Sequence, residues 1–252
     1  MSDPSTSSSK NWKTPLRNAC LKLRNKISTA GTEETELMAD YDVDVVLDVG
    51  ANIGQYARKL IRSGYQGRIV SFEPLPDAFA ALNESRRGMS QWQVENFALG
   101  GENTTATLNI AGNSMSSSLQ GMCDEHVDAA PESAYVASVD VQVKRLDDVF
   151  RQYVKAGERC YLKLDVQGHE HHVLAGAADC LESIMAIQME LSMEHLYEGQ
   201  QLWQDSIASM RALGYRLMTM EPGFRDQRTG VMLQADGIFV RDSAIEAKKL
   251  AA

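Results

Sequence analysis

The chain divides into elements where its apolar pattern changes period. Val43–Val49 is an apolar, β-branched run without strict alternation, the pattern of a parallel strand covered on both faces. It breaks at glycines, and Tyr56, Ala57, Leu60 and Ile61 then follow helical spacing to about Ser63. Strand patterns recur at Arg68–Phe72, Gln93–Leu99, Tyr161–Asp165 and Ile184–Leu191, with helical patterns at Pro76–Arg87, His169–Leu181 and Leu202–Leu213. This alternation predicts an α/β fold, a Rossmann-like doubly wound sheet. Thr105–Ile110 and Ser138–Lys144 alternate like strands, and between them lie polar Gly112–Ser118 and a stretch of little period. They predict an inserted β-hairpin and lid. Arg216–Met220 and Gly237–Val240 close the domain as an antiparallel pair.

Upstream, Trp12, Leu16, Ala19, Cys20, Leu23 and Ile27 form the apolar stripe of an amphipathic helix whose remaining face is basic. Such a helix packs on its own domain or on a second copy, giving a homodimer, or lies on an anionic membrane. Residues 1–10 read as a disordered leader and Thr29–Glu36 as a polar linker. The expected organisation is a leader and helix over 1–40 and one domain over 41–252.

The turn Asp48-Val49-Gly50-Ala51-Asn52-Ile53-Gly54 is the main chemical signal. Gly50 and Gly54 allow a tight turn and close approach of a ligand to a helix N-terminus. Glu73, at the end of the next strand, suits both hydroxyls of a ribose. A dinucleotide fingerprint would need glycine where Asn52 stands, because the backbone must meet a pyrophosphate. Asn52 instead suits an amino acid carboxylate, and Asp48 an ammonium. A ligand with ammonium, carboxylate and ribose but no phosphate is S-adenosylmethionine. The competing readings are a dinucleotide cofactor, or Asp48 and Asn52 acting only as caps.

Composition narrows the partners. A net charge of −9 over 252 residues argues against nucleic acid and favours a small neutral or cationic substrate. The four cysteines have no metal-ligand spacing, and no apolar run reaches membrane-spanning length. A cytoplasmic protein with free thiols is expected.

Other polar residues fall at predicted strand ends, where open α/β sheets bind ligands. Asn96 suits an adenine edge or a turn. Lys163 and Asp165 share one strand face, as a structural ion pair or as site residues, with His169 and Glu190 close to the same edge. Asp165, His169, Glu190 and His195 are residue types a divalent metal accepts, but no compact motif unites them, and no metal is assigned.

Three segments together resemble the FkbM-type S-adenosylmethionine-dependent methyltransferases: Leu47–Gln55, Phe72-Glu73-Pro74, and Leu162–Glu170 with its K-x-D-x-x-G-x-E pattern. Asn113–Leu119 resembles the family's serine-rich segment, which places Ser116 with the cofactor residues. The resemblance implies a class I methyltransferase sheet and O-methylation of a sugar or natural-product scaffold in biosynthesis. Asp165 or His169 is then the candidate general base, with Glu190 and Lys163 positioning the acceptor or tuning charge. One departure is Gln167, where the family often has glutamate. The rival classes are a non-catalytic cofactor-binding module recruited through its N-terminal helix, and a dinucleotide oxidoreductase.

Overall fold

The computed structural model describes residues 33–251; the leader and the amphipathic helix over 12–27 lie outside them. The elements run α1 (Glu33–Asp40), β1 (Val45–Val49), α2 (Gln55–Arg62), β2 (Arg68–Phe72), α3 (Pro76–Ser85), β3 (Trp92–Glu95), β4 (Ala98–Leu99) and β5 (Thr104–Ala111). They continue with α4 (Asp124–Ala129), β6 (Tyr135–Lys144), α5 (Leu146–Tyr153), β7 (Cys160–Leu164), α6 (Glu170–Ala175) and β8 (Ile184–Ser192). Last come α7 (Trp203–Ala212), β9 (Tyr215–Pro222), β10 (Gln234–Arg241) and α8 (Asp242–Ala251).

Seven strands form the main sheet in the order β3-β2-β1-β7-β8-β10-β9. The pairings from β3 through β8 are parallel, and β10 inserts antiparallel to both β8 and β9. This is the class I methyltransferase arrangement, with its reversed final strand. The two-sided burial read from β1 is explained by two cores. Val45, Leu47 and Val49 enter one face with α5, while Val46 enters the other with Ala57 and Leu60 of α2. Among the described residues no helix is long and apolar enough to cross a membrane.

The second sheet differs from the expected hairpin by one strand. β5 and β6 pair antiparallel, but β4 joins β6 in parallel, giving the order β4-β6-β5. The run Gln93–Leu99 therefore splits between two sheets. Asn96 marks the crossing: its Nδ2 donates to the Glu73 carbonyl at 2.8 Å and to the Pro74 carbonyl at 3.2 Å. The helix expected over His169–Leu181 stops at Ala175, because Gly176 lies against the backbone of Gly100 and its carbonyl accepts from the Asp147 amide. Residues 33–36, read as linker, begin α1, whose Met38 enters the core and whose Glu34 bonds Lys59 and Tyr56. The packed domain thus starts before residue 41.

Gly54 has a packing role. It caps α2 at φ 84°, and a Cβ there would press on Leu82 and Trp92. Gly54→Ala should therefore combine left-handed strain with overpacking and cost about 2 kcal/mol, read as a lower urea midpoint at unchanged slope.

Candidate active site

The strand register lays two polar rows across the C-terminal edge of the parallel strands. Ser71, Asp48, Lys163 and Gln188 are aligned neighbours on β2, β1, β7 and β8. Two residues further on, with the same facing, stand Glu73, Gly50, Asp165 and Glu190, and Asp236 of β10 pairs with Glu190. Ser71, Asp48 and Lys163 of the first row are a buried foundation, and Glu73, Gly50, Asp165 and Glu190 of the second border a cavity of about 390 Å³.

Lys163 joins the rows. Its ammonium lies 3.0 Å from Asp165 Oδ2 and 3.3 Å from Asp48 Oδ1, with the Tyr56 ring below it at 5.1 Å. Burial alone would lower its pKa, but Asp165 and Asp48 outweigh that and hold it above the ordinary lysine value. Asp48 is wholly buried and also accepts from Ser71 Oγ at 2.9 Å. Burial pushes its pKa up against the pull of Lys163 and Ser71.

These contacts correct the expectation for Asp48 and leave Lys163 a role toward Asp165 and not toward a ligand. Neither Asp48 nor Lys163 lines the cavity. Asp48 is committed to Lys163 and Ser71, so it is not presented to a ligand's ammonium, and Lys163 acts from beneath the floor. Gly54 packs on Trp92 and Leu82 and is also absent from the lining. Asn96, likewise outside the lining, braces the Glu73-Pro74 turn and is not presented to an adenine edge.

Gly50, Asn52, Glu73, Ser116, Asp165, His169 and Glu190 do come together around the cavity. Gly50 (φ 77°) is forced by proximity, since a Cβ would strike the Asp165 carbonyl. Asn52 is left-handed at φ 46°, and its amide donates to Glu73 Oε2 at 2.7 Å, while Leu75 donates to Oε1 at 2.8 Å. The carboxylate is thus fixed at both oxygens. Burial raises the pKa of Glu73 to about 7 despite those two amides. The Asn52 side chain turns locally, Oδ1 accepting from Ile53 at 2.9 Å and Nδ2 reaching Ser114 Oγ at 3.5 Å.

The serine-rich segment folds over the cavity as a tight turn. Asn113 and Ser116 exchange two bonds of 3.0 Å, and Ser117 Oγ donates to the Ser114 carbonyl at 2.8 Å. Ser118 Oγ fastens the turn to the Gln167 carbonyl at 2.6 Å.

His169 is poorly placed as a base. Gln120 Nε2 lies 3.1 Å from its Nδ1, which must therefore accept, and Nε2 lies beside Gly100. Burial, with His172 and His171 nearby, lowers its pKa to about 3. Glu190 has the opposite tendency: burial, then Asp165, Glu170 and Asp236, push it well up against Lys163. Gln167, which the sequence marked only as a departure, bonds both Asp165 and Glu190. Its spacing of two from Asp165 was the available signal. Tyr197, buried behind it, carried none.

Among the described residues no lysine or arginine lines the cavity, and no group of three or more His, Cys, Asp or Glu is arranged to hold a metal. Lys163→Met should leave Asp48 buried without its cation and cost about 3 kcal/mol in urea unfolding, with part recovered in the Lys163→Met/Asp48→Asn double variant.

The 2-O-methyltransferase NoeI of Sinorhizobium fredii is 29% identical over 164 residues, covering 62% of this chain and 66% of its own length. The methyltransferase sdnD of Sordaria araneosa is 31% identical over 176 residues, covering 56% of this chain and 66% of its own. Fibrillarin of Aeropyrum pernix, solved with natively bound S-adenosyl-L-methionine, has a TM-score of 0.45 at 13% identity, over 78% of this chain and 66% of that one. The description "Methyltransferase FkbM domain" fits residues 48–217, which hold both polar rows except Asp236, and the chain belongs to that family of methyltransferases.

Proposed function

We propose that this methyltransferase is S-adenosylmethionine-dependent and methylates a hydroxyl of a small molecule, a sugar or natural-product scaffold. The carrying observation is Glu73, a buried carboxylate at the end of β2 with each oxygen fixed by one backbone amide. One lone pair per oxygen remains for the two hydroxyls of a ribose. Apolar Leu75, Ala98 and Leu99 beside it suit an adenine. Among the described residues the lining holds no lysine or arginine that would meet a phosphate, which disfavours a dinucleotide. The name of NoeI supports an oxygen acceptor.

When bound, the cofactor supplies an electrophilic methyl on a sulfonium, so the protein's tasks are alignment, exclusion of water and acceptance of a proton. Lys163 and Gln167 each bond one oxygen of Asp165 and hold its carboxyl group in place. Glu190, whose proton affinity is raised and whose carboxylate accepts from Gln167 at Oε2, takes the acceptor's proton. The serine-rich turn roofs the site, and His169, held by Gln120, walls it.

Calorimetric titration with S-adenosylhomocysteine and, separately, NAD tests the cofactor; transfer of labelled methyl to a panel of hydroxylated sugars and scaffolds tests the acceptor. Binding of the homocysteine alone, followed by transfer to oxygen, supports the reading. Binding of NAD alone overturns it, and cofactor binding without transfer to any acceptor returns the non-catalytic module.

Two expectations follow. Ribose hydroxyls donate to ionised Glu73, so binding lowers its pKa and releases a proton. The affinity for S-adenosylhomocysteine should therefore plateau above about pH 7 and weaken by up to about tenfold per unit below it, with Glu73→Gln flat over this range. Glu190→Gln should reduce kcat by about a hundredfold with the cofactor dissociation constant unchanged. Normal turnover in that variant removes Glu190 from the proton-accepting role.

A further inference from the structure

We propose that Gln167 is the positioning residue of the transfer site: its single amide aligns the Asp165 and Glu190 carboxylates and ties them, through Tyr197, to the serine-rich lid. The inference rests on the reading above that these carboxylates face the point of methyl transfer.

Gln167 sits at φ 55°, a backbone glycine would adopt without strain. What distinguishes it from a glycine here is the side chain. Nε2 donates to Asp165 Oδ1 at 2.8 Å and to Glu190 Oε2 at 2.9 Å, so both amide hydrogens are used. Oε1 accepts from the Tyr197 hydroxyl at 2.6 Å, which fixes the end of the amide that faces the acids. Tyr197 is fully buried, and its hydroxyl also lies 3.2 Å from the Ser116 carbonyl. Because Ser118 Oγ grips the Gln167 carbonyl, the lid reaches the glutamine through both backbone and side chain.

The neighbourhood shows what a neutral donor does in this chain, at a position where the family often has glutamate. Lys163 bonds Asp165 from below, shared with Asp48, while Glu170 on α6 and Asp236 on β10 act on Glu190 from either side. Glu170 is itself fixed by the Val166 and Gly168 amides. Two adjacent carboxylates among further acids repel each other, and an amide donating to both reduces the repulsion without adding charge. Glutamate at this position would replace that donor with another acceptor.

The test compares two cofactor analogues on the intact protein by calorimetry across the neutral pH range. Sinefungin carries an amine where the methyl group would sit, and S-adenosylhomocysteine carries nothing there. Wild-type protein should prefer sinefungin by about tenfold when Glu190 is ionised, and lose part of the preference as Glu190 takes up a proton. Gln167→Leu removes the donor, and Gln167→Glu adds a like charge. Both should move the pH of half-loss upward by about one unit, read from the ratio of the two affinities so that any change common to both analogues cancels. The isosteric glutamate variant keeps the test available if the leucine variant does not fold. An unshifted profile in the folded variants, or equal weakening of both ligands at every pH, overturns the role. Homocysteine binding without a wild-type preference for sinefungin places the carboxylates away from the transfer point and also overturns it. Failure to bind either analogue is the separate signature of a wrong cofactor assignment, and removes the inference with it.

Discussion

The site is built around one desolvated ammonium. Lys163 is 6% exposed, yet it carries a charge between the wholly buried Asp48 and the cavity-facing Asp165. A carboxylate placed where Asp48 stands would be untenable alone, and so would the lysine. Together they require β1 and β7 to pair with Asp48 opposite Lys163. A slip of one residue would turn both charges into opposite apolar cores. The ion pair thus sets the register of the central strands, and that register brings Gly50, Asp165 and Glu190 to the same edge.

Above this foundation the work passes from strands to loops. Gly50, Asn52, Gly54, Ser114, Gln167 and Gly168 all have positive φ, and all lie in the three turns around the cavity. Such conformations persist only where the surroundings over-determine them. Here the surroundings are mutual: Asn52 contacts Ser114, Ser118 holds Gln167, and Gly168 leaves no room for a Cβ against Tyr197. Each loop is strained, and each supplies a bond that fixes another.

What could be read from the sequence follows this division. The β1 turn, Glu73 and the K-x-D segment were legible because strand identity, glycine placement and acidic strand ends are local signals. The pairing of Lys163 with Asp48 was not, since it depends on which strands are neighbours and at what offset. Asn96 misled for the same reason: a polar residue at a strand end faces a ligand only if the chain does not cross there to another sheet. The third strand of the small sheet is the two residues Ala98–Leu99, too short for any period to register. Gln167 was visible only as a deviation, because an amide's value lies in the acids around it.

The charge balance of the cavity carries the synthesis one step further. Glu73 and Glu190 border it and Asp236 is paired beside them, while Lys163, beneath its floor, is already divided between two aspartates. Full ionisation of all the acids in a partly desolvated space is costly, and the structure answers with proton affinities near neutrality. Burial raises Glu73 to about 7, and burial with the field of Asp165 raises Asp236 to about 6. A ligand that brings hydroxyl donors to Glu73 and positive charge toward Glu190 lowers the proton affinities of these two groups together. Filling the cavity and ionising its acids are then one thermodynamic event. Under the proposed function, a sulfonium bound there would favour the ionised form of Glu190, the form able to accept a proton.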